Sequence, residues 1–210
     1  LKYIIGKSGD FSGHSVVVTA GPTAEHIDPV RLITNRSSGK MGFAIANAAR
    51  DRGANVTLIS GPSTIQPPVG VKYIDVTSAN EMYEAVISTV KTAAILIMAA
   101  AVSDYRPASY NSLKFKKNQG VPNLELELTE DILMAVPDNL LKIGFAAETN
   151  DIEKNAITKL VSKNLDLIVA NDVSDPTIGF ASDQNKVTII DRHGNTDPLP
   201  LLPKSQGAWK

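Results

Sequence analysis

Short, almost unbroken apolar runs recur along this chain with helical patterns between them. That alternation restricts the fold more than any other feature of the sequence. Val16-Val17-Val18-Thr19-Ala20, Val56-Thr57-Leu58-Ile59, Val71-Lys72-Tyr73-Ile74-Asp75-Val76, Ile95-Leu96-Ile97-Met98, residues 143–147 and Leu165-Asp166-Leu167-Ile168-Val169-Ala170 read as strands. Near-continuous apolar strands are covered on both faces. Residues 41–52 read as a helix stopped by Gly53. Ser78, with Glu81 at the capping-box position, opens a second helix that carries Met82, Val86, Ile87 and Val90 at helical spacing. Residues 152–163 form a third amphipathic pattern. The expected fold is therefore α/β: a Rossmann-like, doubly wound, mostly parallel sheet. Ligands bind such sheets at the carboxyl ends of the strands.

Two segments depart from this scheme. Leu124-Glu125-Leu126-Glu127-Leu128 alternates strictly, which predicts a strand with one wet face. Leu113-Lys114-Phe115-Lys116-Lys117 has the same period, with Phe115 inward and Lys114 and Lys116 on the other face. Together they are the candidate for a small β appendage used for dimerisation, because a lone strand with one apolar face needs a partner surface. Packing on its own domain would meet that need equally well. Residues 186–195 predict a late hairpin, and the Pro-rich stretch from Pro198 an extended or disordered tail. The expected organisation is a connector over 1–14, one domain over 15–197 and a tail over 198–210.

Composition removes whole classes of chemistry. The 210 residues include no Cys, which excludes thiol nucleophiles, iron–sulfur clusters and disulfides. His14, His26 and His193 show no metal-ligand spacing, and no Ser-His-Asp set is recognisable. With 21 basic against 22 acidic residues the formal net charge is −1, so no nucleic-acid partner is expected. No run reaches the roughly 20 apolar residues of a membrane span, and the first residues lack a signal-peptide pattern. A cytoplasmic protein without a membrane partner is expected. The first residue is Leu, which suggests a piece of a longer polypeptide.

Three places could carry chemistry. The loop after the first strand ends in Asn35-Arg36-Ser37-Ser38-Gly39-Lys40-Met41-Gly42, where small residues let backbone N–H groups approach an anion at a helix N-terminus. An N-cap serine with turn glycines is the plainer account, but the loop length and the nearby Arg31, Arg36 and Lys40 favour an anion site. The spacing fits neither G-x-G-x-x-G nor a P-loop. The fourth strand ends in Ala99-Ala100-Ala101-Val102-Ser103-Asp104-Tyr105, which allows a ligand against the backbone with Asp104 beside it. Lys114 and Lys116, and Lys159 and Lys163 one turn apart, could steady phosphates or simply face solvent.

These motifs, with Gly21-Pro22-Thr23, Asp28-Pro29-Val30-Arg31, Gly144-Phe145-Ala146-Ala147-Glu148-Thr149 and Ala170-Asn171-Asp172-Val173, resemble the phosphopantothenate–cysteine ligases of coenzyme A biosynthesis. The likeness covers about Ser15 to Asp191. It implies that CTP, with Mg2+, activates the carboxylate of 4′-phosphopantothenate as an acyl-cytidylate, releasing pyrophosphate. L-cysteine then attacks and CMP leaves. It also implies a homodimer. In bifunctional relatives an FMN-dependent decarboxylase domain precedes this one, and larger assemblies form through it.

By position, the resemblance makes Asn35 a contact of substrate and acyl-nucleotide, and Lys114 a group acting on nucleotide and intermediate. Ala100, Ala101 and Asp104 match the pantothenate pocket and the adjoining nucleotide site. Arg31 matches an arginine that reaches the pantothenate site of the other subunit. Gly21, Ser37, Gly39 and Gly42 match triphosphate-binding backbone. Phe145, Asn171, Lys159 and Lys163 match nucleotide contacts, and Asp131-Ile132-Leu133-Met134 a base-contacting segment. Thr129-Glu130 stands where the family often has Asn-Pro, a departure that bears on base choice. Metal ligands are not readable from the sequence. The sheet pattern taken alone also suits a nicotinamide oxidoreductase or a non-catalytic nucleotide-binding module, although G-x-G-x-x-G is missing.

Overall fold

A computed structural model of the chain describes residues 6–148, 150–172 and 182–210. Thr149 and Val173, at the ends of two of the motifs above, lie outside the described residues. The strands in chain order are β1 (Ser15–Ala20), β2 (Ala24–His26), β3 (Leu32–Thr34), β4 (Asn55–Ser60), β5 (Lys72–Asp75), β6 (Ile95–Met98) and β7 (Tyr105–Pro107). They continue with β8 (Leu126–Leu128), β9 (Leu141–Glu148), β10 (Leu167–Asp172), β11 (Gln184–Asn185), β12 (Val187–Asp191), β13 (Thr196–Pro198) and β14 (Leu202–Pro203). The helices are α1 (Lys40–Asp51), α2 (Ala79–Thr89), α3 (Ile132–Ala135), α4 (Ile152–Ser162) and α5 (Lys204–Gly207).

Eight strands form one sheet in the order β13-β12-β10-β9-β6-β1-β4-β5. The six from β5 to β10 run parallel, and the expected late hairpin β12–β13 adds to the β10 edge antiparallel. Apolar residues on consecutive positions dictate burial on both sides. Val16, Val18 and Ala20 of β1 join Phe43 and Ala46 of α1 in one core cluster. Val17 points the other way, into a second cluster with Met82 and Val86 of α2 and Ala156 and Leu160 of α4. The doubly wound, Rossmann-like expectation holds. At the start of α2, Ser78 accepts from the Glu81 N–H at 3.2 Å, and the Glu81 carboxylate accepts from Thr77 N at 2.6 Å.

From β1 the chain builds outward to β4 and β5 on one side, then returns to β6 on the other. The strand order therefore reverses between β1 and β6, where a crevice opens at the strands' carboxyl ends. The two strands stay joined beyond their ends: Ala101 N donates to Gly21 O at 2.9 Å, and Thr23 N to Ala101 O at 3.1 Å.

Three expectations are corrected. Residues 113–116 form no strand, and Lys117–Gln119 is a 3-10 turn. Their region's backbone donors are taken singly, Asn111 N by Ile27 O and Phe115 N by the Asp28 carboxylate, so no ladder develops. The strand expected over 124–128 shortens to β8, which pairs antiparallel with β7. That pairing satisfies its backbone but leaves Leu126 and Leu128 exposed, at 49% and 72%. The tail is also folded: β14 pairs with β11, α5 packs on α1, and Leu199 is buried.

Gly42, in the first turn of α1, lets the helix sit against the end of β1. A Cβ there would lie 2.6 Å from Ala20 Cβ and 2.7 Å from Thr19 O. Ala has a helix propensity about 1 kcal/mol better than Gly, but overpacking a tight contact costs roughly 1–3 kcal/mol. Gly42→Ala is therefore expected to lower the melting temperature despite the propensity gain; a rise would show that α1 can move off the sheet without loss.

Candidate active site

The crevice holds a cavity of about 660 Å3. Its floor is the start of α1. Gly39 is the helix N-cap with φ of 79°, no side chain caps the helix, and no acidic residue occupies its first turn. A capping side chain is usually worth about 1 kcal/mol, so this helix end is left open to solvent and ligand. Lys40, Met41 and Gly42, the first residues of the helix, all line the cavity. Gly39 permits a close approach to β1's exit, since a Cβ there would lie 3.1 Å from Gly21 N. Ser37 Oγ accepts from Gly39 N at 3.3 Å and fixes the loop. Open N–H groups and the positive end of the helix dipole suit an anion.

The opposite wall is the exit of β6, held by two buried threonines of the β1 side. Thr19 Oγ1 accepts from Ala100 N at 3.1 Å, and Thr23 Oγ1 accepts from Ser103 N at 2.9 Å. Asn35 bridges the two walls: its Nδ2 donates to Ala101 O at 3.1 Å and Val102 O at 3.3 Å. Asp104 lines the cavity, and its backbone oxygen accepts from Thr129 N at 3.0 Å.

The remaining walls come from α3, α4 and the ends of β9 and β10. Asp131 caps α3 by accepting from Met134 N at 3.2 Å, and also pairs with Lys163. Lys159 Nζ donates to Phe145 O at 2.8 Å. Burial pushes the Lys159 ammonium down from the usual lysine range, while the Asp104 and Glu148 carboxylates pull it back up. Asn171 is buried, and among the described residues its Oδ1 has no hydrogen-bond donor. Among the described residues, Arg36, Lys40, Lys159, Lys163 and Lys204 line the cavity against three carboxylates, Asp104, Glu130 and Asp131. The balance is cationic, as an anionic ligand requires.

Of the residues expected from the sequence, the structure brings together Asn35, Ser37, Gly39, Gly42, Ala100, Ala101, Asp104, Asp131, Ile132, Leu133, Phe145, Lys159, Lys163 and Asn171 on this one cavity. Gly21 sits behind it, against Gly39. Met134 is 60% exposed and outside the lining. Arg31 and Lys114 are exposed and also outside it. Arg31 belongs to a cluster centred on buried Asp28, and Lys114 is the chain neighbour of Phe115, whose backbone joins that cluster. The Asp28 carboxylate accepts from Val30 N and Arg31 N at 2.8 Å and from Phe115 N at 3.2 Å, and pairs with the Arg31 guanidinium, which also donates to Phe115 O at 3.2 Å.

The sequence model described as DNA/pantothenate metabolism flavoprotein C-terminal domain matches residues 11–210. The chain belongs to this family. It is 48% identical over 201 residues to the coenzyme A biosynthesis bifunctional protein CoaBC of Bacillus subtilis, covering 94% of this chain and 50% of that protein. The Escherichia coli K12 protein of that name is also 48% identical, over 205 residues, with 93% and 50% covered. The chain thus spans about half the length of the curated relatives it matches. A crystal structure of the C-terminal domain of CoaBC superimposes with a TM-score of 0.80 at 42% identity, covering 97% of this chain and 92% of that one.

In this member of the flavoprotein C-terminal domain family, sequence reasoning missed Thr19, Thr23, Asn185 and Lys204. The threonines sit within apolar or turn motifs and act through their hydroxyls. Lys204 comes from the stretch expected to be an extended or disordered tail, and Asn185 immediately precedes the expected hairpin. No helix among the described residues is long and apolar enough to cross a membrane.

The Asp28 cluster gives a pH test. Burial alone would raise its pKa; the three backbone N–H groups and Arg31 outweigh burial and hold it at about 2. A depressed carboxyl stabilises the fold above its unfolded pKa near 4, and that contribution disappears as pH falls toward 2. Asp28→Asn is expected to melt below wild type at pH 7, with the gap closing between pH 4 and 2. A gap independent of pH would show that the carboxylate's charge carries no stability.

Proposed function

We propose that this chain is a phosphopantothenate–cysteine ligase domain, using CTP to join 4′-phosphopantothenate to L-cysteine. The observation that carries the reading is the single cationic cavity in which the uncapped N-terminus of α1, Asn35 and Lys159 converge on the ends of β1 and β6. The family and the CoaBC relatives support it. The chemistry is a charge problem: a carboxylate oxygen must approach the α-phosphorus of a polyanion. The open helix end, Ser37, Lys159 and Lys163 bind and neutralise phosphoryl oxygens. The carboxylate attacks, a P–O bond forms, and the bond to pyrophosphate breaks. The cysteine amine then attacks the acyl carbon, loses a proton, and CMP leaves.

Asn35 holds the α1 loop to the β6 exit and presents a neutral amide beside the developing anion. Asp131, Ile132 and Leu133 flank the base, next to Thr129 and Glu130, which stand where the family often has Asn-Pro. Arg106 Nη1 donates to Glu130 Oε2 at 3.1 Å and fixes this part of the wall, which bears on base choice. The role of Lys114 requires its loop to approach the cavity. Mg2+ enters with the triphosphate. Mg2+ bound to a triphosphate is ligated chiefly by phosphate and water, and Asp104 is a carboxylate on the cavity wall that fits such an ion. In a bifunctional parent, FMN would belong to a separate decarboxylase domain.

The domain acts as a homodimer in this reading, within a larger assembly in a bifunctional parent. Leu126 and Leu128 are exposed beside Tyr105 on the β7–β8 ribbon, with Leu124 exposed just before it, and Arg31, anchored on Asp28 outside its own cavity, serves a second copy.

Pyrophosphate release from CTP should require phosphopantothenate, and CMP release should require cysteine; no turnover with CTP or ATP would refute the assignment. Asn35→Asp puts a negative charge beside two carbonyls and the reacting anions. It should slow carboxylate activation roughly 100-fold, the effect of losing about 3 kcal/mol of transition-state stabilisation. Sedimentation should give a dimer that Leu126→Glu with Leu128→Glu dissociates; a monomeric wild type would contradict the role given to Arg31.

A further inference from the structure

Two carboxamide oxygens in the cavity wall lack the donor that burial demands. Asn171, near the carboxyl end of β10, is 9% exposed, and Asn185 of β11 is 7% exposed. Both side chains line the cavity. Among the described residues neither Oδ1 has a hydrogen-bond donor. An open buried acceptor costs free energy until a donor fills it, so two in one cavity call for a ligand that donates. They are neighbours: Asn171 pairs with Val187, and Asn185 lies two residues before Val187. The terminal torsion of an asparagine is broad, so each carboxamide can turn its oxygen to the cavity without backbone movement.

The position and charge of the pair sort the donors. A phosphoryl oxygen is itself an acceptor and satisfies neither. The base wall lies on the other side of the sheet. Ile132 and Leu133 pack with Ile168 and Ala170 on the face that α2 and α4 cover. Asn171 follows Ala170 and so projects to the opposite face, as does Phe145 of β9, which packs with α1. With the base, the phosphates and the pantothenate placed elsewhere in the cavity, the ligand left to place is the amine nucleophile. A carboxylate beside an amine would stabilise its ammonium form, which has no lone pair to attack with. Two neutral carboxamides accept its N–H bonds without that penalty.

We infer that Asn185 and Asn171 hold the amino group of L-cysteine for its attack on the acyl-cytidylate. The inference rests on the ligase reading given above and adds the subsite of its nucleophile. The nitrogen lone pair forms the C–N bond, the acyl C–O bond breaks with its electron pair on the departing CMP, and the displaced proton goes to solvent. The carboxamides accept hydrogen bonds and take no proton. The Nδ2 donors of Asn171 stay available to the nucleotide.

The two half-reactions provide the test. The pyrophosphate burst from CTP and 4′-phosphopantothenate without cysteine reads carboxylate activation. CMP release against cysteine concentration reads capture. N185L should raise KM for cysteine about tenfold or more, as for loss of one hydrogen bond to an amine, and leave the burst within twofold. N185D should move the pH profile of capture upward by about one pH unit, because a carboxylate favours the ammonium, and leave the profile of the burst in place. Equal losses in both half-reactions would mark a structural residue. A weaker burst with cysteine KM unchanged would give the donor to the nucleotide, as a ribose hydroxyl or as water on its magnesium. Either result overturns the inference, and so does an unaltered KM. Should N185L not fold, the pH profile of N185D decides alone. Wild-type protein that gives no burst with CTP or ATP would bring down the ligase reading itself, whereas a normal burst with an unmoved cysteine KM in the variant defeats only this assignment.

Discussion

The parallel pairing of β1 with β6 governs the rest of the molecule. Val16 to Thr19 lie beside Ile95 to Met98, and the pairing runs on through the bonds between Gly21, Thr23 and Ala101. Because the chain adds strands on one side of β1 before crossing to β6, the connections after these two strands leave in opposite directions. A crevice at their carboxyl ends follows from that topology. The loop after β1 leads into α1, and the exit of β6 supplies Ala100 to Asp104. Gly42 lets α1 reach the crevice floor, and Thr19 and Thr23 fix the facing backbone from below. Most of the cavity's geometry is thus decided by two buried strands, which themselves contribute only Met98 to the lining among the described residues.

How legible this was depends on the kind of signal. Buried parallel strands write themselves as apolar runs, so β1, β4, β6 and β10 could be read directly. The anion cradle was visible because Gly and Ser cluster where a helix begins without an acidic cap. Residues 113–117 misled: period-2 burial survives, with Phe115 half-buried between exposed lysines, but the Asp28 carboxylate, far off in sequence, takes its backbone donor. A propensity pattern cannot register such a long-range competitor. Asn185 and Lys204 were invisible for a similar reason. Their segment is too short for periodicity, and only pairing between β11 and β14 brings it to the site.

Asp28 shows how a buried charge can organise surface chemistry. One carboxylate accepts three backbone N–H bonds and a guanidinium, and so joins the turn carrying Arg31 to the loop carrying Lys114. Neither cation lines the cavity, yet the Arg31 side chain and the backbone next to Lys114 are fixed by the same carboxylate. Buried charge is costly unless fully paired, and here the pairing spans two segments 84 residues apart. A change that loosens one segment must loosen the other.

Net charge is a poor guide to such a site. The sequence balances 21 basic against 22 acidic residues, but balance over a whole surface says little about a crevice a few ångströms across. Around the cavity, cations outnumber carboxylates, and one of the carboxylates, Asp131, is already engaged with Lys163. Lys159 and Lys204 are both depressed by burial, so each is held where its charge is least comfortable in the absence of a ligand. An incoming polyanion gains from that arrangement twice. In the proposed reading it meets ammonium groups whose desolvation the fold has already imposed, and it offsets the repulsion of Lys163 on Lys159 and of Lys40 on Lys204. The sheet that creates the crevice therefore also creates its affinity, because the same burial that closes the walls raises the electrostatic value of every anion admitted.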